Sequence, residues 1–302
     1  PQAAEDLVAS VGALPLALVL MGSYLQVQSA HDQPRRIQQA LEFLRQRQAY
    51  YQLHRSQSPL EAHPGLPPGE PESLISVIGL SEAALPPGMQ QVFHGLALFP
   101  SKPNTFSEQA ALAVCACSTA DLDALVDSGL LEPVLDDRYR MHQAISDYAR
   151  LKAPGAEAVK RMVEYYLAWA AAAPNSLAQM DLEISNIAES CRLAFQQGIH
   201  AEAIRLVTVF FAFLEVRGLY DLAGSLLEDA LSAAASRDDL ETQADILLKM
   251  GDIEVRRGQY SSASTHLEQA VSISHQKGLR EMEARGLFHL GMAKLYAGAI
   301  SL

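Results

Sequence analysis

Glycine recurs in the second half of this chain at an interval of twenty residues, at positions 198, 218, 258, 278 and 298, with Asp238 in the one remaining slot. The residues just before them are Gln197, Arg217, Arg237, Arg257, Lys277 and Ala297, four of which are basic. Glycine takes the left-handed dihedrals that end a helix without steric cost, and a cation ahead of it opposes the negative end of the helix dipole. The interval therefore predicts a helix terminus repeated six times. Alternate units match more closely. Tyr220, Tyr260 and Ile300 follow Gly218, Gly258 and Gly298 by two residues, Ala223 and Ala263 follow the first two by five, and Leu227 with Ala230 recurs as Leu267 with Ala270. The true period is forty residues, one helical hairpin. Small residues at fixed offsets let paired helices approach and large ones fill the space between hairpins, so residues 154–302 are expected to stack as an α-solenoid. The pattern stops part-way through a hairpin at Leu302, as a C-terminally truncated array would.

The first half is helical too, but irregular. Residues 3–28 read as a helix, a Gly-Ala-Leu-Pro interruption and an apolar helix from Leu16, and residues 34–55 as another helix, giving a helical segment over 1–58. Five prolines between Pro59 and Pro71 exclude helix there, so 59–71 is expected to be a linker. From 72 to 153 the pattern is helix 72–84, helix 88–98, helix 107–117 and helix 119–128. Then follow the apolar run from Leu130, a turn at Asp136-Asp137, Arg138-Tyr-Arg-Met and a last helix near His142. Helices followed by a two-stranded β-wing and a helix describe a winged-helix domain. The expected fold class is thus mainly α: a helical segment, a winged helix with a small β-wing, then the solenoid.

Composition removes several functions. The chain has 302 residues, 49% of them hydrophobic, and a formal charge of −12 divided evenly between its halves. DNA binding by counterion release needs gathered Lys and Arg. No Lys or Arg lies between Pro103 and Asp137, and the helix from Thr119, where a winged helix would read DNA, carries Asp121, Asp123 and Asp127. No direct nucleic-acid binding is expected. The longest apolar stretch, Val11 to Gly22, is twelve residues and contains Pro15, short of the ~20 a membrane span needs, so no membrane partner is expected either. Three cysteines and no His/Cys cluster at ligand spacing disfavour disulfides and metal sites and point to a reducing, cytoplasmic setting. Cys115 and Cys117, on an Ala-rich helix, read as small core residues, and Phe210, Phe211 and Phe213 as interhelix core. No H-E-x-x-H or G-x-S-x-G occurs, so the chain is not expected to be an enzyme.

The hairpin stretch from Lys249-Met-Gly-Asp through Gly258-Gln-Tyr-Ser-Ser-Ala to Leu267-Glu-Gln-Ala resembles tetratricopeptide repeats, in a forty-residue variant. The hairpin after it begins likewise with Leu290-Gly291, whereas the first has Phe211 at that position. Upstream, Val11-Gly-Ala-Leu-Pro-Leu-Ala-Leu resembles the "GLPLAL" helix boundary of the STAND or NB-ARC signalling ATPases, among them bacterial regulators of the AfsR and MalT kind. Leu96-Ala-Leu-Phe-Pro, the run from Leu122 to Leu131 and Arg138-Tyr-Arg-Met-His-Gln resemble their winged helix, the last at its "MHD" position. Leu182-Glu-Ile-Ser-Asn-Ile resembles the start of their repeat region.

That resemblance implies the regulatory and sensor portion of a nucleotide-switched ATPase, with ADP or ATP held by an upstream P-loop domain and a protein or small-molecule signal taken by the repeats. It carries Pro15 to the adenine and His142 to the β-phosphate of ADP. Gln143 replaces the motif's Asp, and no G-x-x-x-x-G-K-[ST] is present, the six lysines being preceded by Ser, Leu, Val, Leu, Gln and Ala. The chain alone therefore holds no cofactor, and both residues would meet nucleotide only with the upstream domain. Read from the residues alone, Pro15 equally starts an apolar helix and His142 equally bonds a backbone group at a helix start. Projecting the repeat phase, the concave face is expected to carry Arg205, Thr208, Ala212 and Glu215, then Asp245, Leu248, Asp252 and Val255, then Arg285, Phe288, Met292 and Leu295. The alternative function is a nucleotide-independent tetratricopeptide scaffold for protein partners.

Overall fold

The computed structural model describes residues 15–29, 71–152, 155–172 and 177–300, which fall into two compact units, Pro1–Ala158 and Val159–Leu302. The expected helix over 34–55 and the linker over 59–71 lie outside the described residues, apart from Pro71. Of the expected 3–28 segment, residues 15–28 are described.

In the first unit, helices α1 (Pro15–Ser29), α2 (Pro71–Ala83) and α3 (Pro87–Leu96) each open on a proline, where its absent N–H would have no helical partner. After them come β1 (Phe106–Ser107), α4 (Glu108–Cys115), α5 (Thr119–Asp127), β2 (Glu132–Val134), β3 (Arg138–Arg140) and α6 (Gln143–Arg150). The Ser107 side chain caps α4 through the Ala110 N–H, and Ser118 with Asp121 forms a reciprocal capping box on α5. The strands make one antiparallel sheet in the order β1-β3-β2, with Phe106 opposite Tyr139 and Glu132 opposite Arg140. β1 was not expected from the sequence, because two residues carry no alternation. Asp136 and Asp137 turn the hairpin with φ of 64° and 53°, a region Asp tolerates better than most residues. Helices α2, α3, α4 and α6 pack around Phe93, Leu96, Phe99 and Phe106, and the last two rings stack at 4.3 Å. Arg150 reaches back from α6 to the Ala97 carbonyl at 2.9 Å, satisfying an acceptor that the end of α3 leaves open.

α7 (Ala156–Ala171) runs into the second unit, where α8 (Leu177–Gln196), α9 (His200–Arg217), α10 (Tyr220–Ala235), α11 (Leu240–Arg256), α12 (Tyr260–Lys277) and α13 (Arg280–Ile300) follow. One pair of bonds ends five successive helices. At the α9 end the Leu219 N–H reaches the Leu214 carbonyl at 2.9 Å and the Gly218 N–H reaches Glu215 at 3.1 Å. The same bonds recur at Ile199, Asp239, Gln259 and Leu279. Gly198, Gly218, Gly258 and Gly278 take φ of 67° to 75°, and Asp238 joins them at 54°. Gly298 does not, because α13 continues through it to Ile300. The expected sixth terminus is therefore absent from that position.

From α8 onward each helix packs on the next, and α8 also meets α10 as α11 meets α13, the contact order of stacked hairpins. The repeated Ala223 and Ala263, Leu227 and Leu267, and Ala230 and Ala270 are all buried, as are Phe210, Phe211 and Phe213. α11 and α12 approach so closely that a Cβ on Gly251 would lie 2.5 Å from Leu267 Cγ.

Candidate functional site

Two places collect the residues singled out above, and each belongs to one unit. In the first unit His142 is the N-cap of α6. Its Nδ1 accepts the Ala144 N–H at 3.2 Å, so the ring proton of the neutral form sits on Nε2. Burial holds its pKa below the ordinary histidine value, and the positive charge of Lys102 adds to the effect against Glu132. Glu132 joins the neighbouring cations, accepting from Lys102 Nζ at 2.9 Å and Arg140 Nε at 2.8 Å. Burial acts to raise the Glu132 carboxyl, but those two hydrogen bonds outweigh it and the group stays below its usual range. The result is an imidazole whose charged form is disfavoured, with a donor nitrogen, under the influence of Lys102, which shares the Glu132 carboxylate with Arg140.

Gln143, at the position where an Asp was expected to be missed, is held on both sides. It accepts from Ser101 Oγ and donates to both oxygens of Asp147 at 2.9 and 3.0 Å. A carboxylate is thus present one helical turn later, a relation invisible to motif matching. Pro15 starts α1 and is exposed, while His142 starts α6, so the two residues belong to different elements. Tyr139, on the middle strand, donates to Glu108 at 2.9 Å, and burial followed by that carboxylate pushes its hydroxyl up to about 12.

In the second unit the expected concave face is divided. Glu215 on α9 pairs with Arg256 on α11 at 2.6 Å, Arg256 pairs with Asp252 at 3.2 Å, and Asp252 pairs with His289 on α13 at 3.2 Å. This ladder joins the first helices of three successive hairpins. Asp245 is held by Lys249, whose ammonium lies 5.9 Å from the Phe211 ring centre. Arg205, Thr208, Arg285 and Phe288 are exposed and outside the ladder. Leu248 is not on the face. It is buried in the core with Leu247, Leu267 and Ala293, because α13 covers it. Sequence reasoning missed Arg256 and His289, since a ladder between helices forty residues apart has no local signature.

The cysteine expectation also needs correction. α4 ends at Cys115 rather than 117, and Ala116 takes left-handed dihedrals. Cys115 and Cys117 are half-buried at that turn, whereas Cys191 is buried, with its thiol pushed up by burial.

Among the described residues no group of three or more His, Cys, Asp and Glu could hold a metal ion, and no single helix is long and apolar enough to cross a membrane. No family model matches the chain and no curated protein matches it. A structure search finds similarity to a signal transduction ATPase with numerous domains from Pyrococcus horikoshii, one that has a tetratricopeptide repeat sensor. The identity is 13% and the TM-score 0.23, over 92% of this chain. The chain spans 58% of the length of that protein's chain. A TM-score of that size is too low to establish a shared fold.

Proposed function

We propose that this chain is the regulatory and sensor portion of a STAND-type, nucleotide-switched signalling protein. In this reading residues 72–153 are its winged helix, with the hairpin of β2 and β3 as the wing, and residues 154–302 are the repeats that take the signal. The observation that carries the reading is the state of His142. Its Nδ1 is committed to the α6 backbone, its proton lies on Nε2, and the positive charge of Lys102 acts on the ring. A neutral donor near a cation suits a phosphate oxygen, as the resemblance at the "MHD" position implies. Asp147, gripped by Gln143, supplies the acidic support that the motif places one turn earlier. Nucleotide itself would be bound by a P-loop domain upstream of Pro1.

The test has two steps. The coding sequence ahead of the Pro1 codon is read for a strand, G-x-x-x-x-G-K-[ST] and a helix. In the protein that contains both, His142→Ala should speed ADP release by about tenfold, the loss of one hydrogen bond to a charged group. Unchanged release rejects the switch. The polar ladder of α9 and α11 that reaches His289 on α13, with Phe288 exposed beside it, favours the second reading, a scaffold that binds a protein partner without nucleotide. Partner binding that is indifferent to His142→Ala and to nucleotide is the outcome that selects it.

A further inference from the structure

Three features remain outside the reading above: the exposed apolar face of α13, the buried Glu82 that accepts from His94 and Tyr148, and a cleft of the first unit where α1, α2, α3 and α5 meet. The first has nothing to specify what covers it. The second is a satisfied tie between α2, α3 and α6. The third has walls whose chemistry selects an occupant.

The cleft holds about 170 Å³. Tyr24 of α1, Ser81 of α2, Met89 of α3, Ala124 of α5 and Ser128, the C-cap of α5, line it around the buried Leu85 of the α2–α3 link. α1 touches the end of α5 beside it, since a Cβ on Gly129 would lie 3.0 Å from Ser23 Oγ and 3.5 Å from a Leu20 methyl carbon. No lining residue is charged. Burial raises the Tyr24 hydroxyl above its ordinary value, so that ring stays neutral as well.

The hydrogen-bond inventory of the walls is one-sided. Ser81 Oγ spends its proton on the Val77 carbonyl at 3.2 Å, and Ser128 Oγ spends its proton on the Leu125 carbonyl at 2.8 Å. Both oxygens keep lone pairs only. The backbone adds no donor. Pro86 has no N–H, those of Ala84, Leu85, Met89 and Ser128 are taken by the Leu80, Glu82, Pro86 and Ala124 carbonyls, and the remaining lining residues lie within helices. A carboxylate entering the cleft would meet acceptors, and a cation would lose its water with no lining carboxylate to replace it. A neutral molecule that brings its own O–H or N–H fits. The size admits one ring, since a cavity of ~150 Å³ holds benzene. The Tyr24 ring and the Met89 thioether both favour that ring being aromatic.

We propose that this cleft is a binding site for a small neutral molecule built of one aromatic ring with a single hydrogen-bond donor, phenol being the simplest. The donor meets Ser81 Oγ or Ser128 Oγ, and the ring lies against Leu85, Met89 and Ala124. Because the walls come from four helices, an occupant fastens α1 to α2, α3 and α5. The site is separate from His142 and from the repeats, so it would give the first unit a chemical input of its own.

The test titrates the 302-residue chain, carrying methyl-¹³C methionine, with phenol, anisole, benzoate and benzylammonium, and Met89→Leu assigns the Met89 signal. Phenol should move that signal with half-saturation at about 1–10 mM, while Met180, Met250, Met282 and Met292 of the second unit stay in place. Anisole, which lacks the donor, should bind ~5-fold more weakly, and the two ions should leave Met89 unmoved. Ala124→Leu fills the cleft and should abolish the phenol response. Replacing Ser81 and Ser128 together by alanine should bring phenol down to the level of anisole and leave anisole unchanged, which a general loss of structure would not do. Phenol should also slow amide exchange along α1. A Met89 shift that never saturates, equal movement of the second-unit methionines, or anisole or benzoate binding as well as phenol overturns the proposal. The wild-type ligand series decides it whatever the folding of the variants.

Discussion

Gly251 and Gly291 occupy the same position in successive repeats, yet they face opposite surroundings. A Cβ on Gly251 would sit 2.5 and 2.6 Å from Leu267 carbons, while a Cβ on Gly291 meets nothing within 4 Å. Gly251→Ala should therefore destabilise the second unit by ~1–3 kcal/mol, because a full core must move to accept one methyl group. Gly291→Ala should stabilise it by up to ~1 kcal/mol through helix propensity alone. Thermal denaturation of the two variants checks the contrast, and equal shifts would refute it. Asp238 offers a third residue to test. It holds a left-handed φ of 54° where its four counterparts are glycine, so Asp238→Gly should raise stability by ~0.5–1 kcal/mol, read from denaturant midpoints. The period made these positions legible in the sequence. Their energetic differences were not legible, because they depend on which helix, if any, lies across from each.

Among elements, α6 depends on its first residue in a pH-dependent way. His142 caps it as a neutral acceptor, and its folded pKa lies below the unfolded value of 6.5. Protonation costs the cap as well as burial. The stability it contributes is complete above about pH 6.5 and falls as pH drops from there toward the lower folded value. Peptide-resolved amide hydrogen exchange from pH 8 to 5, corrected for intrinsic exchange rates, should show the first unit losing stability, and His142→Asn, which caps without titrating, should flatten that slope. At the other unit's α11, Asp239 accepts from the Thr242 N–H at 3.1 Å, and Asp239→Ala should cost ~1 kcal/mol by loss of the cap. The described helices of the first unit could be read from the sequence within two residues, since their caps and prolines are local signals. The stop of α4 at Cys115 rather than 117 could not be foreseen, because nothing in Ala-Val-Cys-Ala-Cys announces a left-handed alanine. Nor could β1, whose only reason to be a strand is Tyr139 and Arg138 across from it.

At the scale of the molecule, the repeat predicted the second unit well because each hairpin contacts only its neighbours, which makes local pattern and global packing nearly the same information. The His142 cluster was half legible. The histidine stood out by resemblance, but Lys102, Glu132 and Arg140 come together only once the hairpin of β2 and β3 has folded. The last helix shows what the repeat implies beyond any one contact. Leu247 and Leu248 on α11 are 3% and 2% exposed, while Leu287 and Phe288, forty residues on, are 53% and 65% exposed. Within the described chain α13 thus has its apolar coupling on one side. In a linear array of nearest-neighbour couplings, such a unit opens first and the opening travels inward like an unfastening zip. Amide hydrogen exchange should accordingly be fastest along α13 and slow progressively through α12 and α11. Any body that covers Leu287 and Phe288 adds one coupling at that end, and its arrival would be felt as slower exchange several helices away, with no change in their shape.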